Sequence, residues 1–560
     1  MGEGRSHPGL VLLLLAVCAL LSSCAFLRGY AAGRSTQMLA AEAQHARGTD
    51  IGMIRFAFDD LGSLNTDTLR TTAIPWKVAA AALVLDHSAR HRMPIESETL
   101  RALLSSFGFT TPSSIENWGP ATPPPTFEKP LGIITGRVSR SVPRIELEVA
   151  NLSCAACHAG VLYDRNGLPQ NRVWLGLPNT SINLEAYSQA VYQGLKRTVR
   201  SREKLLPTIR RLFPDTTEAE LRTIEHHVIP RIEAKLSELQ KSVDAPTPFP
   251  NGGPGLTNGV GALKFQLGLL APDRQHHEVG YTSIPDLGSV AVRSSLLSDG
   301  LYMAPGATRF ERLSTRRITD QHVSQLARIV SFFTVPAMGV TAETARAAIP
   351  RIEEIFRFIL SYRPPSFPGP IDAAFATKGR EIYHDRCARC HGTYSEGIAD
   401  VRLIEFPNRL SPQEEMNTDP ERWRAITPEL IQAIKASPYR QHIVPQATNG
   451  YVAPRLTALW ATAPYLHNGS VPTLWHLMHP EARPRRFYVG GHRLDFERVG
   501  IAGVVDTTGT LRYPEGYEPW AAPDLYDTSK PGLSNEGHER EFDSLSEAEK
   551  ENLLEYLKLL

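Results

Sequence analysis

Cys154-Ala155-Ala156-Cys157-His158 and, 233 positions later, Cys387-Ala388-Arg389-Cys390-His391 are the stretches on which the reading of this chain turns. In a C-x-x-C-H run, two thiols three positions apart fall on one side of a single helical turn. Both can then form thioethers with the vinyl groups of one porphyrin while the adjacent imidazole reaches its iron. A zinc site would require two further Cys or His ligands close by, and a redox dithiol needs no trailing His. Of the six cysteines, Cys18 and Cys24 lie in the leader and the other four are those of the two motifs, so none is left for a structural disulfide. Two covalently bound haem c groups are expected, attached at Cys154, Cys157, Cys387 and Cys390, with His158 and His391 on the irons.

Working outward, 560 residues suffice for two or three domains, each with its own core. With 60 basic and 59 acidic residues the net charge is +1, which carries no polyanion signature, so no nucleic-acid partner is expected. The 43 prolines and 41 glycines indicate a loop-rich globular protein. At the N-terminus, Arg5 precedes an apolar run from Leu10 to Leu21. About 12 apolar residues are too few for a membrane-spanning helix, which takes about 20, so the run reads as a signal peptide. Leu21-Ser22-Ser23-Cys24 resembles a bacterial lipobox, which makes residues 1–24 the leader and Cys24 the lipidated first residue; an ordinary signal peptide cut near the same point is the alternative. Either exports the chain to the periplasmic side of a bacterial envelope. Lipidation would anchor it to the outer membrane, with no other membrane contact.

The expected fold is mainly α: two tandem cytochrome c-type haem domains with loop-rich connections and a helical insertion in the first. Residues 25–150 read as an N-terminal tether and a helical and loop region, with a helix at Trp76–Leu85 and short strands at Gly132–Val138 and Pro143–Val149 leading into the first motif. The first haem domain spans 151–362. Its insertion, at about 183–245, shows Leu221, Ile224, Val228, Ile232 and Leu236 at helical spacing, broken by Pro207, Pro214 and Pro230. Its charges read as a solvated face. Helices at Ile318–Phe333 and Ala342–Tyr362 close the domain. The proline-rich stretch 363–370 is the linker, and 371–560 is the second haem domain, with helices at Ala373–Tyr383 and Ser546–Leu559.

Ala461-Thr462-Ala463-Pro464-Tyr465-Leu466-His467-Asn468-Gly469 resembles the Pro-Tyr-aromatic/Leu-His-(Asp/Asn)-Gly segment of bacterial di-haem cytochrome c peroxidases. Their superfamily includes the methylamine-dehydrogenase maturation enzyme, the di-haem rubber oxygenases and fatty-acid dioxygenases. Tyr281–Gly300, ending Ser298-Asp299-Gly300, resembles the peroxidase segment that ends Trp-Asp-Gly. Gly532-Leu533-Ser534-Asn535-Glu536-Gly537-His538 is similar to the Asn-x-Gly-His segment of the rubber-oxygenase-like branch, which this chain most resembles.

On that resemblance His391 and His538 would cap the second haem on both faces as an electron-transfer centre, and His467 would serve the cofactor through a propionate or the backbone. The first haem would meet hydrogen peroxide or dioxygen, with His276 or His277 as a distal cap or acid–base group; a plain surface pair is the alternative. Counting forward from His467 to the peroxidase Met position lands on Glu481, with Met478 and His479 beside it. Ser298 stands where the peroxidases carry a Trp between the haems. A calcium ion near the junction is also implied, with Ser283 in place of its Asn ligand. The expected activity is that of an exported di-haem c-type oxidoreductase, peroxidase-like or dioxygenase-like, with an apolar organic substrate or a small redox protein as partner. A non-enzymatic di-haem electron carrier is the alternative.

Overall fold

The computed structural model describes residues 31–34, 49–64, 74–120, 122–140, 145–338 and 342–560. Residues 1–24, the expected leader with Cys24, lie outside the described residues. Helix makes up 41% and strand 15%, the strands forming eight small sheets among the described residues, so the fold is mixed rather than mainly α. The physical reason is local. Apart from the eight-residue hairpin Ile133–Arg140/Ile145–Leu152, most strands are pairs of two to four residues where proline-rich loops run side by side, too short to show a period of two.

The expected helices are present: Trp76–His91, Asp320–Met338, Ala342–Ser361, Ala373–Arg386 and Glu547–Leu557. Ser546 begins the last with a capping box, its side chain accepting from the Glu549 N–H while the Glu549 carboxylate accepts from the Ser546 N–H. The insertion consists of Leu184–Thr198, Arg202–Leu212, Glu218–Thr223, a π-helical turn Ile224–Val228, and Ile229–Gln240. Its periodic residues Leu221, Ile224, Val228, Ile232 and Leu236 are buried with Val78, Leu104 and Val149 in one core. Its polar face is not wholly solvated, because Glu220 is buried and accepts from the buried Lys77 ammonium at 2.8 Å.

Two helix crossings organise the rest. A Cβ on Gly52 would lie 2.0 Å from the Glu354 carbonyl oxygen and 2.9 Å from Phe358 Cβ; one on Gly379 would lie 1.9 Å from the Asn552 carbonyl oxygen and 2.9 Å from Tyr556 Cβ. Only glycine lets backbones approach so closely. A leading helix (Thr49–Phe58, Ala373–Arg386) thus crosses a closing helix (Ala342–Ser361, Glu547–Leu557) in the same way twice. The helix Thr49–Phe58, which falls in the expected tether and helical region, packs directly against the closing helix of the first half.

The halves also interlock. Tyr302–Met303 pairs with Val444–Pro445, and Leu313–Ser314 with part of Leu403–Phe406. Ile426, Leu430 and Ile434 share a core with Leu326, Phe332, Ile352 and Phe356. The stretch 363–370 is pinned, since the indoles of Trp174 and Trp460 donate to the carbonyls of Arg363 (3.0 Å) and Pro365 (3.3 Å). Among the described residues no helix is long and apolar enough to cross a membrane.

Candidate functional site

Each C-x-x-C-H motif makes one helical turn, Ala155–His158 and Ala388–His391. His158 Nδ1 lies 3.1 Å from the Pro285 carbonyl and His391 Nδ1 lies 2.8 Å from the Pro454 carbonyl. An N–H donated from Nδ1 leaves Nε2 as the lone-pair nitrogen that a metal takes, so both rings are held in the ligating tautomer. Burial pushes both imidazoles down to about 4, which keeps them neutral. It also pushes the Cys154, Cys157 and Cys387 thiols up to about 12, opposite to a redox dithiol, and all four motif cysteines are free of disulfides.

One cavity of about 820 Å³ is lined by both motifs. Each closing helix contributes the residue after its crossing point and the one four further on: Ile355 and Ile359 from the first, Leu553 and Leu557 from the second. Phe56, Ile352 and Phe356 extend the apolar wall on the first side.

The four histidines on this wall are His158, His391, His467 and His538. The rings of His391 and His538 face each other, 6.0 Å between centroids and 27° between planes. Two metal–nitrogen bonds of about 2 Å each would set the ring centroids of trans imidazoles about 6 Å apart, the separation found here. His538 adopts φ +65°, a left-handed conformation that costs a non-glycine residue, directly after Gly537 at φ +108°. The strain is held in place because Arg483, largely buried, donates to the carbonyls of Asn535 and Gly537, and the His538 N–H donates to Met416 O at 3.2 Å. Among the described residues His158 has no such partner ring.

A second element repeats between the halves. Leu297 and Gly300 have φ +71° and +70°, and Leu466 and Gly469 have φ +67° and +71°; the turns are closed by bridges Leu296–Tyr302 and Tyr465–Val471. Pro285 and Pro454, Ser298 and His467, and Gly300 and Gly469 are each 169 positions apart. The contacts between the turns obey the same offset: the Val452 N–H donates to Ser298 O at 2.7 Å, and the Ser283 N–H donates to His467 O at 2.7 Å. Residue i of one half meets j of the other and j meets i, as across a two-fold axis. Ser298 and His467 are thus counterparts.

His467 stacks on Tyr451 at 4.1 Å, and its buried Nε2 has no hydrogen-bond partner. Burial, and then Arg422, hold this imidazole down at about 3. Arg422 pairs with Asp299 at 2.7 Å, both side chains 1% exposed. Other buried cavity-wall atoms without a partner are Ser298 Oγ, Thr418 Oγ1, Arg455 Nε, Thr457 Oγ1 and Glu541 Oε2. Glu541 Oε2 is an acceptor, but the unpaired hydroxyls and the Arg455 N–H are donors at an apolar wall, and these fit a large apolar group that carries carboxylates, which is the character of a porphyrin.

Several expected residues stand elsewhere. Neither His276 nor His277 lines the cavity: the His276 ring is engaged with the Ala271 carbonyl at 2.9 Å and His277 is exposed, because the loop after Gly268 turns outward. Met478 is buried in the core, and His479 binds Glu547; Met416 is the methionine on the wall. The Ser283 hydroxyl donates to the carbonyls of Leu466 and His467. No cluster of three or more His, Cys, Asp or Glu suited to a bare metal ion occurs among the described residues. Pro285, Pro454, Arg422 and Glu541 escaped the sequence reading, although the 169-residue offset between Leu-Ser-Asp-Gly and Leu-His-Asn-Gly was there to find.

Residues 450–488 match the family described as RoxA-like, cytochrome c-like. That stretch holds Tyr451, Pro454 and the turn with His467. The chain is similar to the uncharacterized protein y4iM of Sinorhizobium fredii (strain NBRC 101917 / NGR234), 30% identical over 211 residues that cover 33% of this chain and 46% of that one. It is also similar to the uncharacterized protein y4iJ of the same organism, 25% identical over 337 residues covering 50% and 54%. The chain spans about half the length of these curated relatives. The family match supports a cytochrome c relationship of the rubber-oxygenase-like kind. It suggests haem c as the cofactor and a haem-containing oxidoreductase as the class.

Proposed function

We propose that this chain is an exported di-haem c-type cytochrome oxidoreductase in which the first site, at His158, meets dioxygen or peroxide and the second, at His391 and His538, passes electrons. The carrying observation is the contrast between the two histidine sites: the His391 ring has the His538 ring 6.0 Å away, centroid to centroid. Among the described residues, by contrast, no ring is paired with His158, in a cavity whose wall includes Phe56, Ile352, Ile355 and Phe356. An iron porphyrin with an open axial position binds small oxidants, and one capped on both faces only exchanges electrons. The chain's own part is positional. Pro285 and Pro454 fix the two imidazoles, Cys154, Cys157, Cys387 and Cys390 anchor the rings, and Arg455, Thr457 and His467 supply donors for carboxylates.

Phe56, Ile352, Ile355 and Phe356 would exclude water from the first site and favour an apolar organic substrate. With Ser298 in the place of an interhaem Trp, this wall favours a dioxygenase of an unsaturated apolar molecule over a peroxidase, since returning both oxygen atoms to substrate needs no net electrons from a partner. The leader with Cys24 supports lipid attachment on the periplasmic face of the outer membrane. Purified holoprotein, reduced anaerobically and then exposed to dioxygen or peroxide, tests the reading. One of two covalent haems should change its visible spectrum while the other keeps a low-spin spectrum. Two haems that both ignore either oxidant would leave an electron carrier, and a mature chain without covalent haem would refute the proposal.

A further inference from the structure

Glu541 lies three residues beyond His538, its side chain 13% exposed, with Oε2 3.7 Å from His538 Nδ1. That oxygen is buried and has no hydrogen-bond partner. Its other oxygen faces Arg389, the variable residue inside the second C-x-x-C-H motif, at 3.6 Å, and Arg389 also pairs with Glu415 at 3.2 Å. Arg389 therefore fixes one end of the carboxylate and leaves the other turned toward the imidazole. A shift of well under about 1 Å would bring Nδ1 and Oε2 within hydrogen-bond distance. The two motif histidines make the contrast, because each gives its Nδ1–H to a neutral proline carbonyl. Of these three imidazoles, His538 has a carboxylate oxygen opposite its Nδ1; the Glu541 charge is also felt by His391 across the same site.

We infer that Glu541, oriented by Arg389, is a positioning residue that polarises His538 and so holds the second haem at a lower reduction potential than two neutral imidazoles would. The inference rests on the reading of His538 as an axial ligand. A carboxylate behind a ligating imidazole fixes its tautomer, raises its basicity and favours the more positive, oxidised iron. The unmatched oxygen is then the point where the chain tunes one site and not the other.

The test is spectroelectrochemistry and electron paramagnetic resonance on the holoprotein. Glu541→Gln should raise the reduced-to-oxidised ratio of the low-spin haem at fixed applied potential about tenfold, 59 mV for a one-electron couple, and move its low-spin g-values. Glu415→Gln removes the same charge from the same arginine without facing His538, and should shift the ratio less than threefold with unchanged g-values. Glu541→Asp, which keeps the charge, should stay nearer the wild type than Glu541→Gln in both readouts and guards against a merely misfolded amide variant. If the two glutamine variants behave alike, or Glu541→Gln leaves the potential unmoved, the inference is overturned. His538→Ala separates the two claims: retention of the low-spin signal there would overturn the ligand reading itself.

Discussion

The two histidine sites share a frame and differ in what stands opposite the motif. Both have a one-turn motif helix, an imidazole tied to a proline carbonyl, a glycine-mediated helix crossing, two apolar residues from the closing helix on the wall, and a Leu-x-(Asp/Asn)-Gly turn at the pseudo-two-fold axis. Their divergence is concentrated at counterpart positions. Asp299 pairs with the buried Arg422 beneath the contact between the halves, whereas its counterpart Asn468 donates through Nδ2 to the carbonyls of Gly532 (3.2 Å) and Ser534 (3.0 Å), in the loop that delivers His538. A repeated local scaffold can thus be kept while single residues give the two sites different surroundings. The second half brings a second imidazole beside that of its motif, and no such ring pairs with His158 among the described residues.

Breaking one frame at a time gives the largest expected effect. Gly379→Ala should separate the second pair of helices and Gly52→Ala the first, each costing about 5 kcal/mol, because the added carbon meets a main-chain oxygen that cannot move independently. Each variant should lose order at its own haem first, read by visible and near-ultraviolet circular dichroism; loss of both together would show that the halves do not behave as separable frames. Next, Asp299→Asn gives the first turn the residue of the second and leaves Arg422 without its anion. A cost of about 3–5 kcal/mol in chemical denaturation is expected, and under 1 kcal/mol would show that the ion pair is not stabilising.

Acid pH sharpens the comparison at intermediate size, because His492 is a second-half residue, 1% exposed, held by burial at about 4 with Nδ1 unpaired. Its folded value lies below the unfolded one, so its contribution is fully present above about pH 6.5 and is lost as pH falls toward 4, by at most about 3 kcal/mol. His492→Phe should flatten that part of the stability–pH curve; an unchanged slope would clear His492 of the acid sensitivity. Smallest is Ser546→Ala, which removes the capping box of the second closing helix and should cost about 1 kcal/mol in thermal or denaturant unfolding.

How far the sequence reached follows from physics at particular residues. Both motifs were legible because their chemistry is carried by contiguous residues. The long helices were legible from apolar spacing and from Ser546 and Glu549, and the resemblance around Asn535-Glu536-Gly537-His538 singled out a residue whose ring lies 6.0 Å from that of His391. The short strands were not, since a two-residue pairing such as Tyr302–Met303 with Val444–Pro445 depends on where distant loops lie. Helix Thr49–Phe58 was lost in an apparent tether because its role appears only where Gly52 meets Glu354, some 300 positions later. His276 and His277 were drawn toward the site by counting along a loop, which cannot reveal that the loop turns outward. Glu541 was invisible for a related reason: a single acidic residue gains meaning only from the ring nitrogen and the arginine on either side of it.

The most direct measurement is a quantitative low-temperature electron paramagnetic resonance spectrum of the oxidised holoprotein, integrated against its covalently bound haem. The account predicts two haems per chain, one low-spin with two imidazole ligands and the other open or holding a displaceable small ligand. Two equal low-spin signals, unaltered by dioxygen, peroxide or the loss of His538, would contradict it.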